Sequence, residues 1–215
     1  MAGRSLSNSL LVNGRADLAS ANGPSPLSLV TGTLAQASLE TSKKLESGSF
    51  FIGSLCERDR SDLESLIPIL VVRVLVSFVG QLLDQCLTGT LALTYLLNSS
   101  EWKKLGEQKL DTLWKVLRLL ISQLPLGGVL ICIIDEISQY ETSVLEEDTD
   151  RVVRRLTRLV INSDNIAFKL LLTCHDKALK VFQYSEDHTI DLDDDTVPED
   201  SSEWWIESAT SLGES

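Results

Sequence analysis

Histidine is scarce in this 215-residue chain, which has only His175 and His188. No Ser/His/Asp triad or metal constellation can be placed around either. Cysteine is sparse too: Cys56, Cys86, Cys132 and Cys174 form no CxxC pair, which leaves a disulfide framework and a zinc site poorly supported. A reducing, intracellular and cytoplasmic location is therefore expected. Basic excess is also missing, since the net charge is −12. A protein without surplus cations cannot displace counterions from phosphates, so nucleic acid is excluded as a partner. The N-terminus holds Arg4 but no apolar signal core. The one long apolar stretch, Leu66–Leu83, is interrupted by Pro68, Arg73 and Gln81 and has no flanking Lys/Arg cluster. A central Arg costs roughly 2.5–3.5 kcal/mol on membrane insertion. The stretch reads as a buried core helix, with strand as the minor alternative given its β-branched residues, and no membrane partner is expected.

What is present is unevenly distributed. From Glu186 to Ser215 there are eleven acids and no Lys or Arg, so the body is close to neutral and the tail is a polyanion. Self-repulsion and few apolar side chains predict a disordered acidic tail at 193–215. Within it Trp204–Trp205 stand out, either as a segment that docks back on the body or as a motif for another protein. Residues 1–24 are low in complexity, with "LLV" (Leu10–Val12) as a possible first strand. The span 25–192 reads as one α/β domain.

Inside that domain, apolar strands alternate with amphipathic helices. "GPSPLS" (Gly23–Ser28) blocks helix until about Leu27, and a helix then runs through "LSLVTGTLAQASLETSKKLES". "SFFIGSLC" (Ser49–Cys56) reads as a strand, and the Leu66–Leu83 helix is expected to extend or re-form through "GTLALTYLLNSS". Leu110, Leu113, Trp114, Leu117, Leu120, Ile121 and Leu124 mark the clearest amphipathic helix, punctuated by Asp111 and by Pro125–Gly127–Gly128. "VLICII" (Val129–Ile134) and "AFKLLLT" (Ala167–Thr173) are continuous apolar runs, as expected for central parallel strands covered on both faces. Between them Val152, Val153, Leu156, Leu159 and Val160 mark a helix capped at Thr149 or Asp150. "ALKVFQ" suggests a short helix and "HTIDL" a last strand. The alternation predicts a parallel α/β sandwich.

"LDTLWKVLRLLISQLPLGGVLICIIDEISQYE" (Leu110–Glu141) and, further on, "RVVRRLTRLV" and "FKLLLT" resemble the nucleotide-binding domain of the STAND class. The resemblance is specifically to NACHT-like modules found in large fungal proteins. "SFFIGSL" and the helix ending "GQLLDQ" resemble the strand and helix that such modules place between phosphate loop and Walker B. The resemblance implies a P-loop NTPase-like three-layer sandwich with a mostly parallel sheet. It also implies a Walker B reading of the "DE" that ends "VLICII": Asp135 as a Mg²⁺ ligand through water, Glu136 or Glu141 as the catalytic acid that orients water, and Thr173 as a γ-phosphate sensor. Gly23 and Ser28 would stand in the cofactor-binding loop.

The chain departs from that pattern at one decisive place. A working P-loop needs GxxxxGK[ST], and no GKS or GKT occurs. Pro26–Leu27 replaces the Gly–Lys pair before Ser28, and Pro24 and Pro26 lack amide donors. The plainer reading makes Asp135 an exposed strand end and Glu136 and Glu141 solvated loop acids. Thr173 is then a hydroxyl that satisfies the loop backbone. Arg151, Arg154, Arg155 and Arg158 offer an arginine finger or a solvated face paired with the acidic tail. The expectation is a non-catalytic pseudo-NTPase module acting through an unidentified protein partner, with no cofactor. The alternative is a weak ATP/GTP hydrolase that uses Mg-ATP or Mg-GTP.

Overall fold

"VLICII" and "FKLLLT" lie side by side in the middle of one parallel sheet. The structure is a computed structural model. It describes residues 7–14, 26–44, 49–54, 70–85, 97–163, 165–175, 177–185 and 188–192. In chain order the elements are β1 (Asn8–Asn13), α1 (Pro26–Lys44), β2 (Ser49–Ser54), α2 (Leu70–Gln85), α3 (Ser99–Gly106), α4 (Leu110–Ser122), β3 (Val129–Ile134), α5 (Glu146–Asn162), β4 (Ala167–Cys174) and β5 (Thr189–Asp191). Short 3₁₀ turns occupy Ile137–Tyr140 and Val181–Tyr184. The five strands are ordered β2-β3-β4-β1-β5, and every described pairing is parallel. The "mostly parallel" expectation therefore becomes wholly parallel among the described residues.

The order fixes which face each helix takes. From β1 the chain crosses to the far edge at β2, then steps back through β3 to β4. Right-handed crossovers put connections of opposite travel on opposite faces. Accordingly α1 packs chiefly on β2 on one face, while α2, α4 and α5 gather on the other. The large core on that second face unites Ile52, Leu130, Cys132, Ile134, Phe168, Leu170, Leu172 and Leu11 with the three helices. Ala35 of α1 meets Phe51 and Ile133 in a smaller cluster, with Ile131 and Leu171 at its margin. Alternation along each strand sorts these sets, as the two-residue period requires. At 0% exposure Cys132 belongs to the larger core, and burial pushes its thiol well above the usual range.

Several local readings hold and several shift. The interrupted apolar stretch is helical: in α2, Val71, Val74, Leu75, Phe78, Val79 and Leu82 are buried, whereas Arg73 lies on the exposed side. Among the described residues no helix is long and apolar enough to cross a membrane. Residues 86–96, where that helix was expected to extend or re-form, lie outside the described residues, as do Cys56, Cys86, Trp204 and Trp205. Helix α3 was not anticipated; Asn98 opens it with a full capping box to Glu101. Helix α5 begins at Glu146, ahead of the expected caps, because Glu146, Glu147 and Asp148 suit a helix N-terminus. Thr149 instead donates internally to the Tyr140 carbonyl at 2.7 Å. On the arginine face Arg151 pairs with Glu147 and Asp148 and Arg154 with Asp150 along α5, while Arg155 reaches Asp111 on α4.

The β2 edge is closed in an unusual way. Gln81 and Gln85, one turn apart on α2, each bond both the N–H and the C=O of an edge residue. Gln81 serves Gly53 (2.9 and 2.6 Å) and Gln85 serves Phe51. Their side-chain amides stand where a sixth strand would bond, so the edge is not offered to another chain. Replacing both (Gln81→Ala/Gln85→Ala) should lower unfolding free energy by about 2–4 kcal/mol, at about 1 kcal/mol per lost bond. It should also produce concentration-dependent association by size-exclusion chromatography. Unchanged stability and a monomeric profile would show that the edge does not need this seal.

Candidate functional site

The polar cluster forms where the strand ends converge. The connection leaving β1 goes to the α1 face, and those leaving β3 and β4 go to the other face. Parallel sheets open a crevice beyond their carboxyl ends at such a switch. Asp135 directly follows β3 and continues the alternation of Ile131 and Ile133, which places it beneath α1. Thr173 lies near the end of β4, and Ser28 and Thr31 come from the first turns of α1.

Asp135 is fully buried and Glu136 is 2% exposed, so neither is a solvated strand end. Asp135 Oδ1 accepts from the Thr173 hydroxyl at 2.6 Å and lies 3.2 Å from Thr31 Oγ1. Thr31 Oγ1 is also 3.1 Å from the Ser28 carbonyl, so its single proton serves two acceptors. Thr173 both donates and accepts, since the Glu136 N–H reaches its oxygen at 3.2 Å. Asp135 Oδ2, by contrast, is buried with no hydrogen-bond partner.

Glu136 has φ 56° and ψ 47°, the left-handed region. Holding a non-glycine residue there costs roughly 1–2 kcal/mol, and such strain collects at functional or tightly determined turns. Ser28 Oγ lies 3.4 Å from its Oε1, and Gln139 Nε2 lies 3.2 Å from its Oε2.

Glu141 is not a solvated loop acid either, and it is engaged elsewhere. Its carboxylate accepts from the backbone amides of Leu179 (2.8 Å), Lys180 (2.7 Å) and Val181 (2.8 Å). Three consecutive donors occupy both oxygens, which makes this residue a brace for the segment after β4. The structure thus brings Asp135, Glu136, Thr173 and Ser28 together and assigns Glu141 to a neighbouring loop. Gly23 lies outside the described residues. His175 is half-buried and His188 exposed, and neither bonds to the cluster in the described contacts.

Two members of the site were missed in the sequence. Thr31 is 1% exposed; a hydroxyl three residues after Ser28 and four before Ala35, on the buried face of α1, was the available signal. Asn13 ends β1 beside the crevice, accepting from the Ala178 N–H at 3.1 Å and donating to Asp191 at 2.6 Å. Gly14 follows, with its N–H on the Cys174 carbonyl at 2.7 Å. A Cβ there would sit 3.0 Å from two backbone oxygens, Cys174 O and His175 O, so a larger residue would push β1 and β4 apart by a few tenths of an ångström.

Among the described residues no group of three or more His, Cys, Asp and Glu is placed to hold a metal ion. The described oxygens are one carboxylate with a spare atom plus two hydroxyls, a hard-ligand set of low charge. Comparison with protein-family models, with curated proteins and with solved structures finds no match to this chain.

Thr173→Val keeps the shape but removes the donor to Asp135 and the acceptor for Glu136. It should cost about 1–3 kcal/mol in urea denaturation, because buried polar partners are then left unmatched. Thr173→Ser should recover most of the loss. Glu141→Ala should cost roughly 1.5–3 kcal/mol by the same assay, since hydrogen bonds to a charged group are lost.

Proposed function

We propose that this chain is a non-catalytic module descended from a NACHT/STAND-type P-loop domain, acting through contacts with another protein. The observation that carries the reading is the engagement of Asp135. Its Oδ1 is taken up by hydroxyls from α1 and β4, so the acid at the Walker B position holds the start of α1 down on the strand ends. A residue used as an internal strut does not need a nucleotide to justify its burial. The sequence adds the missing Lys, and a triphosphate brings several negative charges to a place already holding two carboxylates. Mg²⁺ and backbone amides would have to offset that charge without a P-loop Lys.

One observation favours the second reading, a weak ATP/GTP hydrolase. Asp135 Oδ2 is unbonded, and with the Ser28 and Thr31 hydroxyls it could help hold Mg²⁺. The residues fit a hard cation in kind, but the loop that should hold the phosphates is changed at Pro26–Leu27. Bound Mg²⁺ would supply charge neutralisation at the transferring phosphoryl group. Glu136, held near Ser28 and Gln139, would be the residue available to orient water, and Thr173 would report on the cluster through Asp135.

Titration of the full chain with ATP and GTP in the presence of Mg²⁺ separates the readings. The expected result is no saturable binding tighter than about 1 mM, a standard free energy of roughly −4 kcal/mol. Asp135→Asn should leave any background hydrolysis unchanged. It should also keep or raise stability, since the amide oxygen can still accept from both hydroxyls and the unbonded carboxylate oxygen is removed from the interior. A micromolar Mg-nucleotide complex abolished by Asp135→Asn would make the hydrolase the better reading.

A further inference from the structure

The described helices cover the two faces of the sheet unequally. Helices α2, α4 and α5 cover one face, whereas among the described residues only α1 lies on the other, and it packs chiefly over β2. Strand register shows what remains open. Leu10 pairs with Leu171, Val12 with Thr173 and with Ile190, and paired residues of parallel strands project to the same side. Leu171 belongs to the α1-face cluster, so Leu10, Val12 and Ile190 share that face. Leu10, Val12 and Leu171 are half-buried and Ile190 is 48% exposed. Lys169 is the only charged residue among the described strand positions of this face.

We propose that this β4-β1-β5 floor is the docking site of the chain's own C-terminal segment, anchored by Trp204, Trp205 and Ile206. Three observations select that occupant. The chain leaves β5 at Leu192, whose N–H still bonds the Asn13 carbonyl, so the segment starts at the open half of the sheet. Trp204 lies twelve residues further on, a reach of up to roughly 40 Å at about 3.3 Å per residue. The floor is only three strands wide, about 10 Å between its outer strand axes. The segment from 193 onward carries eight acids and no base, and its one apolar run is Trp204–Ile206. Two tryptophans and an isoleucine bring large apolar area to an apolar floor. The docking would leave the Asp135 crevice as it is and does not depend on whether nucleotide binds.

Hydrogen–deuterium exchange on the full chain tests this, comparing wild type with Ile190→Glu and with Trp204→Ser/Trp205→Ser at two protein concentrations. In wild type the amides of residues 203–207 should exchange at least tenfold more slowly than the chemical rate for that sequence. The slowing should vanish in Ile190→Glu and be independent of concentration. Because Ile190→Glu alters a strand, the double serine variant supplies a second reading, with the amides of residues 206 and 207 returning to the chemical rate. Exchange at the chemical rate in wild type would overturn the proposal. So would protection indifferent to Ile190→Glu in a chain that still folds, which would place the anchor elsewhere. Protection that grows with protein concentration would give the floor to a second copy and equally overturn it.

Discussion

A carboxylate buried with only hydroxyls about one of its oxygens is the constraint to which the rest of this fold is fitted. Polar groups are tolerated in a protein interior when hydrogen bonds replace their water. Asp135 finds two such groups on different elements, Thr173 on β4 and Thr31 on α1. Meeting both requires the end of β3 to be level with the end of β4 and the first turns of α1 to lie over them. The ladder helps: the Asp135 N–H bonds the Ser54 carbonyl of β2 at 3.0 Å. The chain must then turn sharply, and Glu136 is left in the left-handed region. Strain at Glu136 and satisfaction at Asp135 are two sides of one local arrangement, since the Glu136 N–H is aimed at the same Thr173 oxygen.

A second brace works one layer further out. Glu141 collects three successive amides and so fixes the path between β4 and β5. Asn13 ties that same path to the end of β1. Polar residues at the strand ends therefore do for the loops what apolar packing does for the layers. That division follows from parallel topology. Every strand delivers its last residue to the same edge, and buried backbone groups there need partners.

The fold was largely legible because its strongest signals are physical ones. Continuous apolar runs such as "VLICII" can be stable only between two covered layers, and the Leu110–Leu124 pattern fits no strand. Strand order was not legible, because it depends on contacts between residues far apart in sequence. The site was half legible. Asp135, Glu136 and Thr173 advertise themselves by ending apolar runs, and Ser28 by starting a helix. Thr31 did not, because a threonine in the middle of "SLVTGTLA" looks the same whether its hydroxyl meets solvent or a buried carboxylate. Exposure was misjudged at Glu136, and engagement at Glu141, for a related reason. Sequence shows that an acid leaves a strand, but not that amides or hydroxyls from another element are waiting for it.

The two oxygens of Asp135 pose different physical questions. Oδ1 is accounted for by the strut, and an asparagine could accept the same two hydroxyl bonds without a charge to desolvate. Oδ2 adds nothing to the strut, yet it is buried and unbonded, at a desolvation cost that folding must absorb. A residue chosen for the strut alone would not carry that second oxygen. On the proposed reading it is what remains of a position once matched to a cation. The strut thus accounts for a polar residue at this position, and on the proposed reading ancestry accounts for its being an acid.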